Sequence, residues 1–181
     1  MAETFPELTD RLIDFIRQQK VFFVATAPSD PNQTVNVSPK GHDCLRIFDS
    51  KTVAYFDFPG SGNETATHIK DNGRLTMMFC SFGAKPMTLR LYGKGEVIER
   101  KTDRFHALLK QYGEGVIPWI RQLIVLHLDE AHTSCGYAVP QFEFVAERPT
   151  YRRYCEENAP KGKLDQYMGD TATIAPGGSS Q

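Results

Sequence analysis

Residues 55–74 read YFDFPGSGNETATHIKDNGR, joining the end of an apolar run, a loop of small residues and a helix-like segment. The run Thr52-Val53-Ala54-Tyr55-Phe56 is rich in β-branched and aromatic residues, the composition of a strand, and it stops at Pro59-Gly60. Gly60-Ser61-Gly62-Asn63 follows, with two glycines that leave the backbone free to approach another group closely. Asn63 suits the N-cap of a helix starting at Glu64, and Gly73 suits its C′ position. A small polar loop feeding a helix N-terminus offers unpaired N–H groups and the positive end of the helix dipole, which suits phosphate. Many strand-to-helix loops share that pattern, so the flanking chain has to decide its meaning.

Upstream, Thr9 or Asp10 can cap a helix in which Leu12, Phe15 and Ile16 recur at helical spacing. Residues 21–27 read as a buried strand, PSDPN (28–32) as a turn, and 34–38 as an alternating strand. Residues 44–48 form a further strand before the central stretch. Downstream, 74–80 and 87–92 are strands, and Gly93 and Gly95 mark a bulge or sharp bend. Thr102 caps a helix over 103–112 closed by Gly113, and 122–128 is the last clear strand. Residues 142–145 are short and extended or helical, and 151–157 suggest a final helix. Hairpin-linked strands with a few helices between them predict a mainly β fold, a small antiparallel barrel with flanking helices. The expected organisation is a single domain over 1–169, followed by a tail at 170–181 that has nothing to bury.

The chain has 181 residues, 40% hydrophobic, with a net charge of −1. That balance lacks the basic excess of a nucleic-acid or membrane-surface binder. No stretch approaches the roughly 20 apolar residues of a membrane span, and the acidic N-terminus lacks a signal-peptide pattern, so a cytoplasmic location is expected. Cys44, Cys80, Cys135 and Cys155 form no C-x-x-C motif, and the five histidines show no metal spacing, so no metal site is expected. Trp119 reads as core or interface, and Tyr137 as an aromatic anchoring its loop.

The segments FFVATA (22–27), VNVSPKG (35–41), TVAYFDFPGSGNET (52–65), HIKDNGRLTMMF (68–79), LRLYGKG (89–95) and CGYAVP (135–140) occur in a familiar order. In these segments the chain resembles the pyridoxamine 5′-phosphate oxidase-like FMN-binding split-barrel family, over residues 5–148. The resemblance implies a six-stranded antiparallel split β-barrel and a homodimer with FMN in clefts between subunits. It places Val37, Ser38, Pro39 and Lys40 along the flavin edge and the strand end Tyr55-Phe56-Asp57, with Phe56 as the contact, beneath it. It puts Ser61, Gly62, Asn63 and Thr65 at the FMN phosphate, and Thr88 and Arg90 on a strand lining the cofactor from the same or the partner subunit. Taken alone, Lys40 reads as a solvated strand-end lysine and Arg90 as a barrel-exterior charge.

Two departures stand out. The family's oxidases carry an Arg-Lys pair at the phosphate loop, where this chain has Glu64 and Thr65. Glu64 is therefore expected to point away or to pair with Lys40, Arg74 or Arg90. The basic, Trp-containing C-terminal segment of the oxidases also has no counterpart here, so oxidation of pyridoxamine phosphate itself is not expected. The implied function is an FMN-dependent oxidoreductase acting on an unidentified small-molecule substrate, with no catalytic side chain assigned because the cofactor carries the hydride chemistry. A non-catalytic flavin or haem protein, with His42, His68 or His127 as axial ligand, and a scaffold that has lost its cofactor are the alternatives.

Overall fold

The computed structural model describes residues 2–168, so the expected tail at 170–181 lies outside the described residues. The strands are β1 (Glu3–Phe5), β2 (Phe22–Thr26), β3 (Asn36–Lys40), β4 (Leu45–Asp49), β5 (Thr52–Asp57), β6 (Arg74–Cys80), β7 (Thr88–Glu99) and β8 (Gln122–Ser134). The helices are α1 (Asp10–Gln18), α2 (Glu64–Asn72), α3 (Asp103–Tyr112), α4 (Thr150–Asn158) and α5 (Asp165–Met168). All strand pairs are antiparallel, and the curled sheet runs β3-β2-β6-β7-β8-β5-β4 with β1 added to β8. The mainly β class therefore holds.

The expected six strands become eight among the described residues. β1 is three residues long and carries no periodic signal; it exists because the far end of β8 offers it a partner, Glu3 opposite Thr133. β7 continues past Gly93 and Gly95, absorbing a register shift between Tyr92 and Gly93. An added Cβ at Gly93 would overlap the His127 carbonyl oxygen of β8, so only glycine permits this approach. Residues 142–145 adopt no regular structure, and Tyr137 is 80% exposed rather than a buried anchor.

The core covers both faces of the sheet along β5 and the first half of β8, where consecutive residues are buried. Tyr55, Phe56, Phe79, Leu89, Leu91, Leu123 and Ile124 are fully buried, and Phe22 stacks on Phe79 with ring centroids 5.6 Å apart. α2 lies where its sequence demands. Its Ile69 and Ala66 are buried, Ile69 rests on Gly95, and Gly73 closes the helix at φ 72°. Packing of Ile69 against β7 thus sets the position of the helix N-terminus and of the loop before it. α3 is capped by Thr102, whose hydroxyl accepts from Phe105 N at 3.2 Å. Its C-terminal carbonyl at Tyr112 accepts from Arg46 Nε at 2.6 Å.

Among the described residues no helix is long and apolar enough to cross a membrane. Cys44, Cys80 and Cys155 are buried and Cys135 is exposed. Burial pushes the Cys44 thiol up to about 12. A thiol reagent at pH 8 is therefore expected to label Cys135 alone in the folded protein and all four cysteines in denaturant. Mass spectrometry of the labelled peptides checks this, and rapid native labelling of Cys44 would contradict the packing.

Candidate functional site

The C-terminal end of β5, the loop 58–63 and the N-terminus of α2 meet the inner face of β3. Alternation on β3 divides the expected site residues. Ser38 and Lys40, with Asn36, turn toward the loop, while Val37 and Pro39 occupy the opposite, exposed face. Val37 is 61% exposed and so does not line the cleft. Phe56, expected beneath the flavin, is fully buried in the core, with the Arg46 guanidinium 5.9 Å from its ring centroid.

A cleft of about 40 Å³ lies between these elements, lined by Asn36, Ser38, Lys40, Asp57, Gly62, Asn63, Glu64, Thr65 and Arg121. Asp57 is its electrostatic centre. The carboxylate is almost fully buried and accepts from Arg121 Nη2 at 2.7 Å, Arg121 Nε at 3.1 Å, Gln122 Nε2 at 2.8 Å and Lys40 Nζ at 3.4 Å. A buried carboxylate needs such partners, since leaving it unpaired would cost on the order of 3–5 kcal/mol.

Arg121 also holds the loop. Its Nη1 donates to the Gly60 carbonyl at 3.3 Å and the Gly62 carbonyl at 3.0 Å. In a trans peptide the N–H points opposite the carbonyl, so the Ser61 and Asn63 N–H groups are turned away from Arg121. Neither donates a hydrogen bond among the described residues. Gln122 Nε2 donates to Asn63 Oδ1 at 2.8 Å, and this replaces the expected N-cap bond, which Asn63 does not make. The Ser38 hydroxyl is buried without a hydrogen-bond partner. Tyr55, beneath the cleft, is fully buried, and desolvation with the nearby Asp57 charge keeps its phenol protonated far beyond the ordinary range.

Glu64 departs from expectation. Its carboxylate folds back over Gly62 at the cleft, and among the described residues no ion pair joins it to Lys40, Arg74 or Arg90. Ser61 is exposed at the loop tip. Thr88 and Arg90 are not gathered with the loop in one chain. Thr88 pairs with Ser134 and Arg90 with His132, whereas the loop adjoins Gln122, opposite Glu99. The span from Thr88 to Glu99 is roughly 35 Å of strand. There Thr88 and Arg90 both contact the Ser134 hydroxyl, Arg90 at 3.3 Å.

Beyond Lys40 a second, larger groove of about 740 Å³ opens between Pro39, His42, Phe82, Phe142 and Phe144. Among the described residues no group of three or more His, Cys, Asp or Glu side chains could hold a metal ion. Asn36, Arg121 and Gln122 were missed as site residues from sequence, and Asp57 entered only as the end of the strand beneath the flavin, with no role of its own. Asp57 carried a signal, an acidic residue closing an apolar strand, but nothing in the order of residues singled out Arg121 as its counter-ion.

Comparison with known proteins gives this geometry a setting. The profile of the family described as pyridoxamine 5′-phosphate oxidase matches residues 8–135. The chain is 36% identical over 167 residues to the pyridoxamine 5′-phosphate oxidase family protein ustO of Aspergillus flavus, covering 90% of this chain and 67% of that protein. Among solved structures, a single-substitution variant of HupZ from Group A Streptococcus superposes with a TM-score of 0.57 at 21% identity, covering 70% of this chain and 98% of that one. A Lactobacillus delbrueckii protein provisionally assigned to the pyridoxamine 5′-phosphate oxidases gives 0.55 at 16% identity, covering 70% and 94%. These structures share the fold. The sequence matches carry the classification, and the chain belongs to the pyridoxamine 5′-phosphate oxidase family.

Proposed function

We propose that the protein binds FMN, its phosphate seated between the N-terminus of α2 and the inner face of β3, and acts as a flavin-dependent oxidoreductase on a small molecule. The observation that carries this reading is the set of unspent donors at the cleft. Ser38 Oγ is buried without a partner, and the Ser61 and Asn63 N–H groups face away from Arg121. Lys40 donates to Asp57 yet keeps two further N–H donors on its ammonium. Ser38, Lys40, Asn63 and Thr65 would hold the phosphate, while Arg121 is occupied in bracing the loop. Bound FMN would supply the hydride-accepting centre. The groove of about 740 Å³ beyond Lys40 is the volume available to a ring system or substrate.

The separation of Thr88 and Arg90 from the loop supports a homodimer in which the partner's Arg90 approaches it. A haem reading draws less support: His68 is buried and His127 commits Nε2 to Glu96, which leaves His42, whose Nδ1 contacts Glu147, as the candidate with Nε2 open.

The test is an absorbance spectrum after incubation with FMN and desalting. Retained flavin bands, lost in Ser38→Ala combined with Lys40→Met, support the reading. Glu64→Gln is expected to tighten FMN binding about tenfold or more, since removing a like charge near the phosphate relieves on the order of 1–4 kcal/mol. Wild-type protein that takes up no FMN as monomer or dimer overturns it.

A further inference from the structure

His68 is buried on the inner side of α2, and the candidate anion cleft makes no direct use of it. Its Nδ1 lies 3.0 Å from the hydroxyl of Thr26, which is itself buried. Asn36 Nδ2 lies 3.4 Å from that same hydroxyl and 3.0 Å from the hydroxyl of Thr65. Thr65 and Asn36 both line the cleft. The four side chains therefore form one chain of hydrogen bonds from a buried imidazole to the proposed phosphate position.

Donor accounting gives this chain a direction. An amide nitrogen only donates, so Asn36 makes both threonine oxygens acceptors. Each hydroxyl then has its own proton left to place. Thr26 can give its proton to His68 Nδ1 only if that nitrogen carries a lone pair, which makes the imidazole neutral with its proton on Nε2. With Thr26 satisfied, the Asn36 amide is held with its nitrogen toward Thr65. The Thr65 proton can then go only to a ligand or to the Tyr55 hydroxyl beside it, which is buried without another partner, and of these two a charged phosphate is the stronger acceptor.

We propose that His68 is a positioning residue which, through Thr26 and Asn36, aims the Thr65 hydroxyl proton at the phosphate of the bound cofactor. The proposal rests on the phosphate reading of the cleft. His68 touches no ligand; it selects one orientation of the half-buried Asn36 amide, which could otherwise turn over.

The experiment measures FMN and riboflavin affinities by fluorescence titration for the wild type, His68→Leu, His68→Gln and Thr26→Val. Riboflavin lacks the phosphate and so reports loss of structure separately. His68→Leu is expected to weaken FMN about ten- to hundredfold, the worth of one hydrogen bond to a charged group, with riboflavin affinity unchanged. His68→Gln, whose amide oxygen also accepts from Thr26, restores most of the loss, and Thr26→Val reproduces it. Equal weakening of both ligands, or unchanged FMN affinity in both His68→Leu and Thr26→Val, overturns the proposal. Imidazole nitrogen shifts of the ligand-free wild type provide a second readout: a protonated Nδ1 on His68 overturns it without any variant. A wild type that binds FMN no better than riboflavin overturns the phosphate reading, and this proposal with it. A wild-type preference for FMN that survives in His68→Leu overturns the proposal alone.

Discussion

Arg121→Met is expected to destabilise the protein by about 3–5 kcal/mol and to abolish FMN retention, the largest effect of any single substitution at the site. Asp57 is almost fully buried, and Arg121 is its closest cationic partner, through two nitrogens on one carboxylate oxygen. Removing the guanidinium leaves Gln122 and the longer contact from Lys40, which together do not offset a buried carboxylate. It also releases the Gly60 and Gly62 carbonyls, so the loop loses the brace that orients its N–H groups. Urea denaturation reads the first effect and retained flavin the second. Arg121→Met with Asp57→Asn separates them. The double variant is expected to regain much of the stability, because the uncompensated charge is gone, while still failing to hold FMN. A stable single variant that binds FMN normally would sink the account of Asp57 as a buried, charge-paired centre.

Gly93→Ala is expected to cost about 3 kcal/mol, the cost of forcing an atom into a space closed by backbone. The obstacle is the His127 carbonyl together with the Leu128 Cα at 3.1 Å, and backbone cannot swing aside as a long side chain would. The strain falls at the bulge where β7 changes register against β8, the most extensive strand pair of the sheet. Gly60→Ala is the control. An added Cβ there meets nothing within 4 Å, so the change should stay within about 0.5 kcal/mol. The two urea midpoints decide the matter, and equal midpoints would show that β7 and β8 do not cross as closely as described.

Both predictions concern features that the sequence disclosed unequally. Glycine at 93 and 95 marked a bulge in advance, because a strand has little other use for glycine. The helices at 64–72 and 103–112 were legible for the same local reason: caps, periodicity and terminal glycines act over one or two turns. β1 and the second half of β8 were not, since a short or polar strand forms only when an unpaired edge is offered to it, and the edge lies far away in sequence.

The candidate site divides along the same line. The loop 60–63 and the strand carrying Ser38 and Lys40 could be read from residue types and order, with the family resemblance supplying their common purpose. Which side chains meet could not. Alternation along β3 sends Val37 and Pro39 away from the cleft, and Phe56 is claimed by the core. Thr88 and Arg90 fall at the other end of β7 because antiparallel pairing with β8 carries them there. Arg121 meets Asp57 only because β5 and β8 pair in a register that sets Asp57 opposite Gln122. Local chemistry thus determined the elements and the kind of ligand they suit. The counter-ion, the braced loop and the buried relay to His68 were decided by strand register and helix packing, which join residues roughly 40 to 65 positions apart that no local signal connects.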